Sequence, residues 1–63
     1  MIWFADGSSQ GNQASLYADT RDDVQNDLEE FGKKNHLKHG SNCFCIEDSS
    51  VHMMMTDETW KQI

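Results

Sequence analysis

Proline is absent from the 63 residues, and the chain has no internal repeat and no low-complexity tract, so nothing marks a linker between domains. Cysteine is scarce: Cys43 and Cys45 are the only two. Residues at i and i+2 on a strand point the same way, but bridging them closes too tight a ring for a relaxed disulfide. A disulfide scaffold is excluded, and both are read as free thiols. Basic residues are also few. Five Lys and Arg stand against eleven Asp and Glu, a formal charge of -6. Nucleic-acid binding draws most of its strength from Lys and Arg neutralising phosphates, and an anionic membrane surface repels a chain of this sign. Neither nucleic acid nor membrane is an expected partner. No run of about 18 apolar residues is present to span a bilayer. The start, Met1-Ile2-Trp3-Phe4-Ala5-Asp6, lacks the basic flank and apolar length of a signal peptide. A cytoplasm, or an assembly built in one, is the expected setting.

A chain of this length makes one domain and buries only about 60% of the surface its unfolded form exposes. A core of that size supplies about 3–5 kcal/mol, so small domains commonly lean on a disulfide, a metal or a neighbouring subunit.

The local signals are those of an α+β fold. Met1 to Ala5 is apolar with two aromatics and reads as a strand. Asp6 to Gln13 is a polar, turn-rich loop, and Ala14 to Ala18 a second strand able to pair with the first. Thr20 with Asp23 three residues on is an N-cap with its capping-box partner. Val24, Leu28 and Phe31 at i, i+4 and i+7 make one apolar stripe. Glu29 with Lys33 and Glu30 with Lys34 are favourable i,i+4 pairs, and Asn35 is a left-handed stop. The spacing predicts one helix over 21–34, its acids a solvated face. Strands follow over 42–47, 51–55 and 59–63, separated by the turns Asp48-Ser49-Ser50 and Thr56-Asp57-Glu58. The expected order is β-β-α-β-β-β, a small antiparallel meander packed by one helix.

Strand alternation sets Phe44 and Ile46 opposite Cys43 and Cys45, and Val51, Met53 and Met55 opposite His52 and Met54. Both faces of this hairpin are largely apolar. One helix covers one side of a sheet, and Met suits adaptable contact surfaces. A Met run also fills an irregular core, but two apolar faces in so short a chain point to an intermolecular contact. Phe44, Ile46, Met53, Met54, Met55 and Trp60 are the candidate interface residues, with a homo-oligomer or docking on a larger assembly as the outcome.

Chemistry-bearing constellations are thin. His36, His39, Cys43 and Cys45 place four potential zinc ligands within ten residues. They lack the usual Cys-x2-Cys knuckle, which leaves them a weak candidate beside the reading of exposed loop histidines and packed thiols. Gly7 and Gly11 flank no phosphate-loop Lys-Ser or Lys-Thr. Asp19, Arg21 and Asp23 have calcium-loop spacing with the wrong residue in the middle. Asp27 and Glu30 have no apolar pocket to separate their pKa values as an acid/base pair. No catalytic set and no cofactor is expected.

The stretch Gly40-Ser41-Asn42-Cys43-Phe44-Cys45-Ile46-Glu47-Asp48-Ser49-Ser50-Val51-His52-Met53-Met54, closed by Trp60-Lys61-Gln62-Ile63, resembles a hairpin of small virion-region proteins of tailed bacteriophages. Ala18 to Asp23 resembles their lead-in to a helix. Two positions depart from that pattern: His52 stands where an aromatic is usual and Cys45 where an aliphatic is usual. Cys43 matches a position where Cys is common, which favours packing over zinc. The resemblance implies a structural or decoration subunit on a capsid surface or tail, with other virion proteins as partners. It would reside in the virion, and in the host cytoplasm during assembly. The acidic charge allows a second reading, a small inhibitor or DNA mimic occupying the basic channel of a host enzyme.

Overall fold

A computed structural model describes residues 1–63. Seven elements follow in order: β1 (Ile2–Phe4), β2 (Ser15–Ala18), α1 (Arg21–Asn26), α2 (Leu28–Lys34), β3 (Asn42–Cys45), β4 (Ser50–Met54) and β5 (Trp60–Gln62). The strands form a single sheet in sequence order. The α+β class holds, but the antiparallel meander with one helix in the order β-β-α-β-β-β does not. β1–β2, β3–β4 and β4–β5 are antiparallel, whereas β2 and β3 run parallel. A parallel pair cannot be closed by a tight turn and needs a crossover connection, which the helical segment supplies.

That helical segment is divided at Asp27. Thr20 caps its start as the sequence indicates, its hydroxyl accepting from the Asp23 amide while the Asp23 carboxylate accepts from the Thr20 amide. Asp27, with φ −117° and ψ −21°, ends α1 and begins α2. Asn26 and Asp27 are both poor helix formers because their side chains compete for backbone groups. The ladder nevertheless runs through, with Asp27 N–H to Asp23 C=O at 2.9 Å and Phe31 N–H to Asp27 C=O at 2.8 Å. Across this bend Leu28 is buried and Val24 and Phe31 pack against the core.

α2 ends at Lys34, where the spacing places the end of the helix, but the left-handed residue comes one position later than expected. His36, not Asn35, takes the left-handed conformation, with φ 55°. Leu37 N–H then reaches Gly32 C=O at 3.0 Å and His36 N–H reaches Lys33 C=O at 3.2 Å. These are the two bonds of a Schellman ending, with Leu37 as its buried apolar residue. Asn35 caps instead through its side chain, which donates to Phe31 C=O at 2.9 Å.

The two C-terminal turns use one device twice. In Asp48-Ser49-Ser50, Asp48 Oδ1 accepts from the Ser50 amide and hydroxyl at 3.1 and 2.6 Å. In Asp57-Glu58-Thr59, Asp57 Oδ1 accepts from the Thr59 amide and hydroxyl at 3.2 and 2.6 Å. The middle residues, Ser49 and Glu58, both have positive φ. Each Asp side chain supplies locally the hydrogen bond that closes its turn.

The core lies between the helices and one face of the sheet. Leu16 and Ala18 of β2, Cys43 and Cys45 of β3 and Met54 of β4 meet Leu28 and Leu37 there. The helices approach closely at Gly32, where an added Cβ would stand 3.0 Å from Met54 Cε and 3.4 Å from Trp60 Nε1. Trp60 packs beneath this point with its indole N–H buried and unpaired.

Candidate functional site

Strand pairing decides which side chains share the other face. Trp3 stands opposite Tyr17, Tyr17 beside Phe44, and Phe44 opposite Val51. Ile63 N–H bonds to Val51 C=O at 2.7 Å, which extends the line to the last residue. The result is an apolar row, Trp3–Tyr17–Phe44–Val51–Ile63, crossing the whole sheet on the side away from the helices. Its aromatic members touch. The Trp3 and Tyr17 ring centroids are 5.9 Å apart, and those of Tyr17 and Phe44 are 6.3 Å apart and edge-to-face.

The flanking rows continue the surface. Met53, paired with Asn42 and Lys61, lies on this face, and alternation brings Met55 and Ile46 to it. The large hydrophobic side chains left exposed are Met1, Tyr17, Ile46, Val51 and Ile63. Alternation assigns Tyr17 and Val51 to this face, Met1, Ile46 and Ile63 adjoin the ends of its strands, and Trp3, Phe44, Met53 and Met55 are half-buried beside them. Scattered exposed apolar residues are ordinary, but a contiguous apolar face on a small domain marks an interaction surface.

The six interface residues expected from sequence divide between the faces. Phe44, Ile46, Met53 and Met55 gather on the open face. Met54, only 4% exposed, belongs to the core, and Trp60 packs against that core under Gly32. Their alternation opposite Met53 and Lys61 carries them to the helix side. Sequence reasoning missed Trp3, Tyr17, Val51 and Ile63. Alternation within each strand separates Trp3 from Ile2 and Phe4, and Tyr17 from Leu16 and Ala18, but joining them into one row requires the register.

The His/Cys set does not assemble. Cys43 and Cys45 point into the core, fully buried, while His36 and His39 are exposed on the connection after the helix. There the two histidines line a depression with Thr56, Asp57 and Glu58. No group of three or more His, Cys, Asp or Glu side chains comes together as a metal site. Burial, with the neighbouring Cys45 adding to it, pushes the Cys43 thiol up to about 12, so it stays protonated and unreactive at neutral pH.

One triad of catalytic residue types does meet, in an order that denies it that chemistry. Ser50 Oγ donates to Asp48 at 2.6 Å and lies 2.9 Å from His52 Nε2. The hydroxyl has one proton, already given to the carboxylate, so Nε2 must carry a hydrogen and donate it to Ser50 Oγ. In this arrangement the serine proton is directed to Asp48 and not to His52, the reverse of what a general base requires. Asp48 also accepts from the Ser50 amide, with Arg21 Nε at 3.8 Å. The Ser50 hydroxyl above all, then the Cys45 thiol, hold this carboxyl down at about 2. The cluster pins the β3–β4 turn.

No family model matches the sequence, and no curated protein and no solved structure matches the chain.

Proposed function

We propose that this chain is a non-enzymatic protein-binding subunit that works through the open face of its sheet. The observation that carries the reading is the apolar row from Trp3 to Ile63, along which Tyr17, Val51 and Ile63 stay exposed. Its particular role is that of a structural or accessory component of a tailed-phage particle, on the capsid surface or the tail, meeting other virion proteins. The resemblance of its C-terminal hairpin to small virion-region proteins supports that role. Many copies per particle make modest single contacts sufficient through multivalency.

The acidic-inhibitor reading has less support. Its carboxylates would have to stand as an unneutralised array, whereas Glu29 is paired with Lys33 at 3.2 Å and Asp23 with the chain's amino group. Mass spectrometry of purified particles assembled by the genome that encodes the chain tests the proposal. Stoichiometric presence in washed particles is the expected result. Absence from them, with the folded chain blocking a host nucleic-acid enzyme instead, overturns it in favour of the inhibitor.

A further inference from the structure

We infer that the occupant of the open face is a second copy of this chain, packed sheet to sheet about a two-fold axis with the helices outermost. This rests on the reading of that face as a protein-binding surface, and it names the partner.

Three observations converge on a self-contact. The first is extent. Five strands about 4.8 Å apart show one or two outward side chains each, and with the flanking Met1, Ile46, Met55 and Ile63 they give a face of about 600 Å². Two such faces would bury about 1,200 Å², the lower bound for specific, stable association. The contact reaches that bound by using the whole face, leaving no apolar strip uncovered.

The second is charge. Among the outward rows the only charged side chain within a strand is Lys61, at the β5 margin, and Asp19 follows the end of β2. The face is close to neutral although the chain carries -6. Much of the acid surplus, Asp22, Asp23, Asp27, Glu29 and Glu30, sits on α1 and α2 behind the sheet. With the sheets about 10 Å apart and the helices beyond them, the two acidic surfaces are about 30 Å apart, well past the Debye length of about 8 Å at physiological salt. Face-to-face pairing is the arrangement that keeps them farthest from one another. A strongly basic partner would find its complement on the helices, not on this face.

The third is shape. A two-fold contact must be made by the same patch on both copies. The row Trp3–Tyr17–Phe44–Val51–Ile63 runs across the strands, bulky at the β1 side and branched aliphatic at the β5 side. Turned about an axis along the strands, the aromatic half of one row meets the aliphatic half of the other, large against small. That is the arrangement in which facing sheets interdigitate.

Sedimentation equilibrium of the full chain from about 1 µM to about 1 mM tests the inference. The expected result is a monomer–dimer equilibrium that changes little as salt rises from about 50 to about 500 mM, because the acidic surfaces of the two copies lie well beyond the Debye length. Val51→Lys and Tyr17→Glu each place a charge in the row at positions already solvent-exposed. Each is expected to weaken dimerisation by about 100-fold or more while circular dichroism stays that of the parent. Gln25→Lys, on the exposed side of α1, is expected to leave it unchanged. A folded chain that stays monomeric to about 1 mM overturns the inference, and so does a dimer indifferent to both row variants. Presence in particles is read independently. A monomeric chain found in virions sinks only the self-contact, whereas a dimer absent from virions sinks only the particle role.

Discussion

Leu16 and Tyr17 are neighbours on β2 and live in different environments. Leu16 is 1% exposed under the helices, while Tyr17 is 40% exposed on the other side of the same strand. The contrast extends over the sheet. The helix-covered face is closely filled by Leu16, Ala18, Cys43, Cys45 and Met54, with Ile2, Phe4 and Trp60 packed beside them, while the open face holds Trp3, Tyr17 and Phe44. Close approach of a helix explains the first: at Gly32 there is no room for even one added carbon without moving Met54 or Trp60. Bulk on the open face serves no internal packing beyond ring-to-ring contact. The side chains under the helices hold this fold together, and those on the open face are available to something else.

Substitution at the adjacent pair is the sharpest way to break that contrast. Leu16→Ala is expected to cost about 3 kcal/mol, most of what a domain this size has. Tyr17→Ala, measured by urea unfolding below the association range, is expected to cost about 1 kcal/mol or less, the worth of its cross-strand contacts. Equal losses would mean the two faces share the core. Gly32→Val tests the close approach itself. Overpacking against Met54 and Trp60 is expected to cost about 2 kcal/mol, and a variant as stable as the parent would show slack where the helices meet the sheet.

The pH limbs extend the comparison to charge. Asp48 is held at about 2 against an ordinary 3.8. A depressed carboxyl contributes stability present above the ordinary value and lost as pH falls through about 4 to about 2. Cys43, raised by burial from 9.0 to about 12, contributes in the opposite sense. Its share is present below about 9 and lost as pH climbs towards about 12, because the unfolded chain can release a proton that the core retains. Asp48→Asn is therefore expected to flatten the acid limb of a urea-midpoint profile, and Cys43→Ala the alkaline limb. Limbs unchanged in both variants would contradict the assignments. In the native protein a thiol reagent at pH 8 is expected to label neither cysteine until the chain unfolds. The smallest effect belongs to the outer layer. Lys33→Ala removes an exposed ion pair to Glu29 and is expected to shift stability by about 0.5 kcal/mol or less.

Much of the local architecture was legible beforehand. The Thr20–Asp23 capping box, the Val24–Leu28–Phe31 stripe, the Glu29–Lys33 pair and the Asp48-Ser49-Ser50 turn all act between residues within a few positions of each other, while the second turn closes on Thr59, one residue beyond the expected Thr56-Asp57-Glu58. The division of the helix at Asp27 was harder to see. Its hydrogen-bond ladder is continuous, and only the backbone angles show the break. Half the candidate face was also legible: alternation separated Phe44 from Cys43, and Met53 from Met54. It could not say which of those sides the helices would take, so Met54 and Trp60 were grouped with residues on the far side of the sheet.

By itself, then, the order of residues determined where elements begin and turn, and which side chains within one strand oppose each other, because those outcomes depend on bonds and sterics over short stretches of chain. Only the tertiary structure decided that β2 and β3 run parallel, that Trp3, Tyr17, Phe44, Val51 and Ile63 fall into one line, and that Met54 and Trp60 lie beneath Gly32. Those depend on the register between strands far apart in the chain and on which face the helices bury. Both are settled when the whole sheet packs at once.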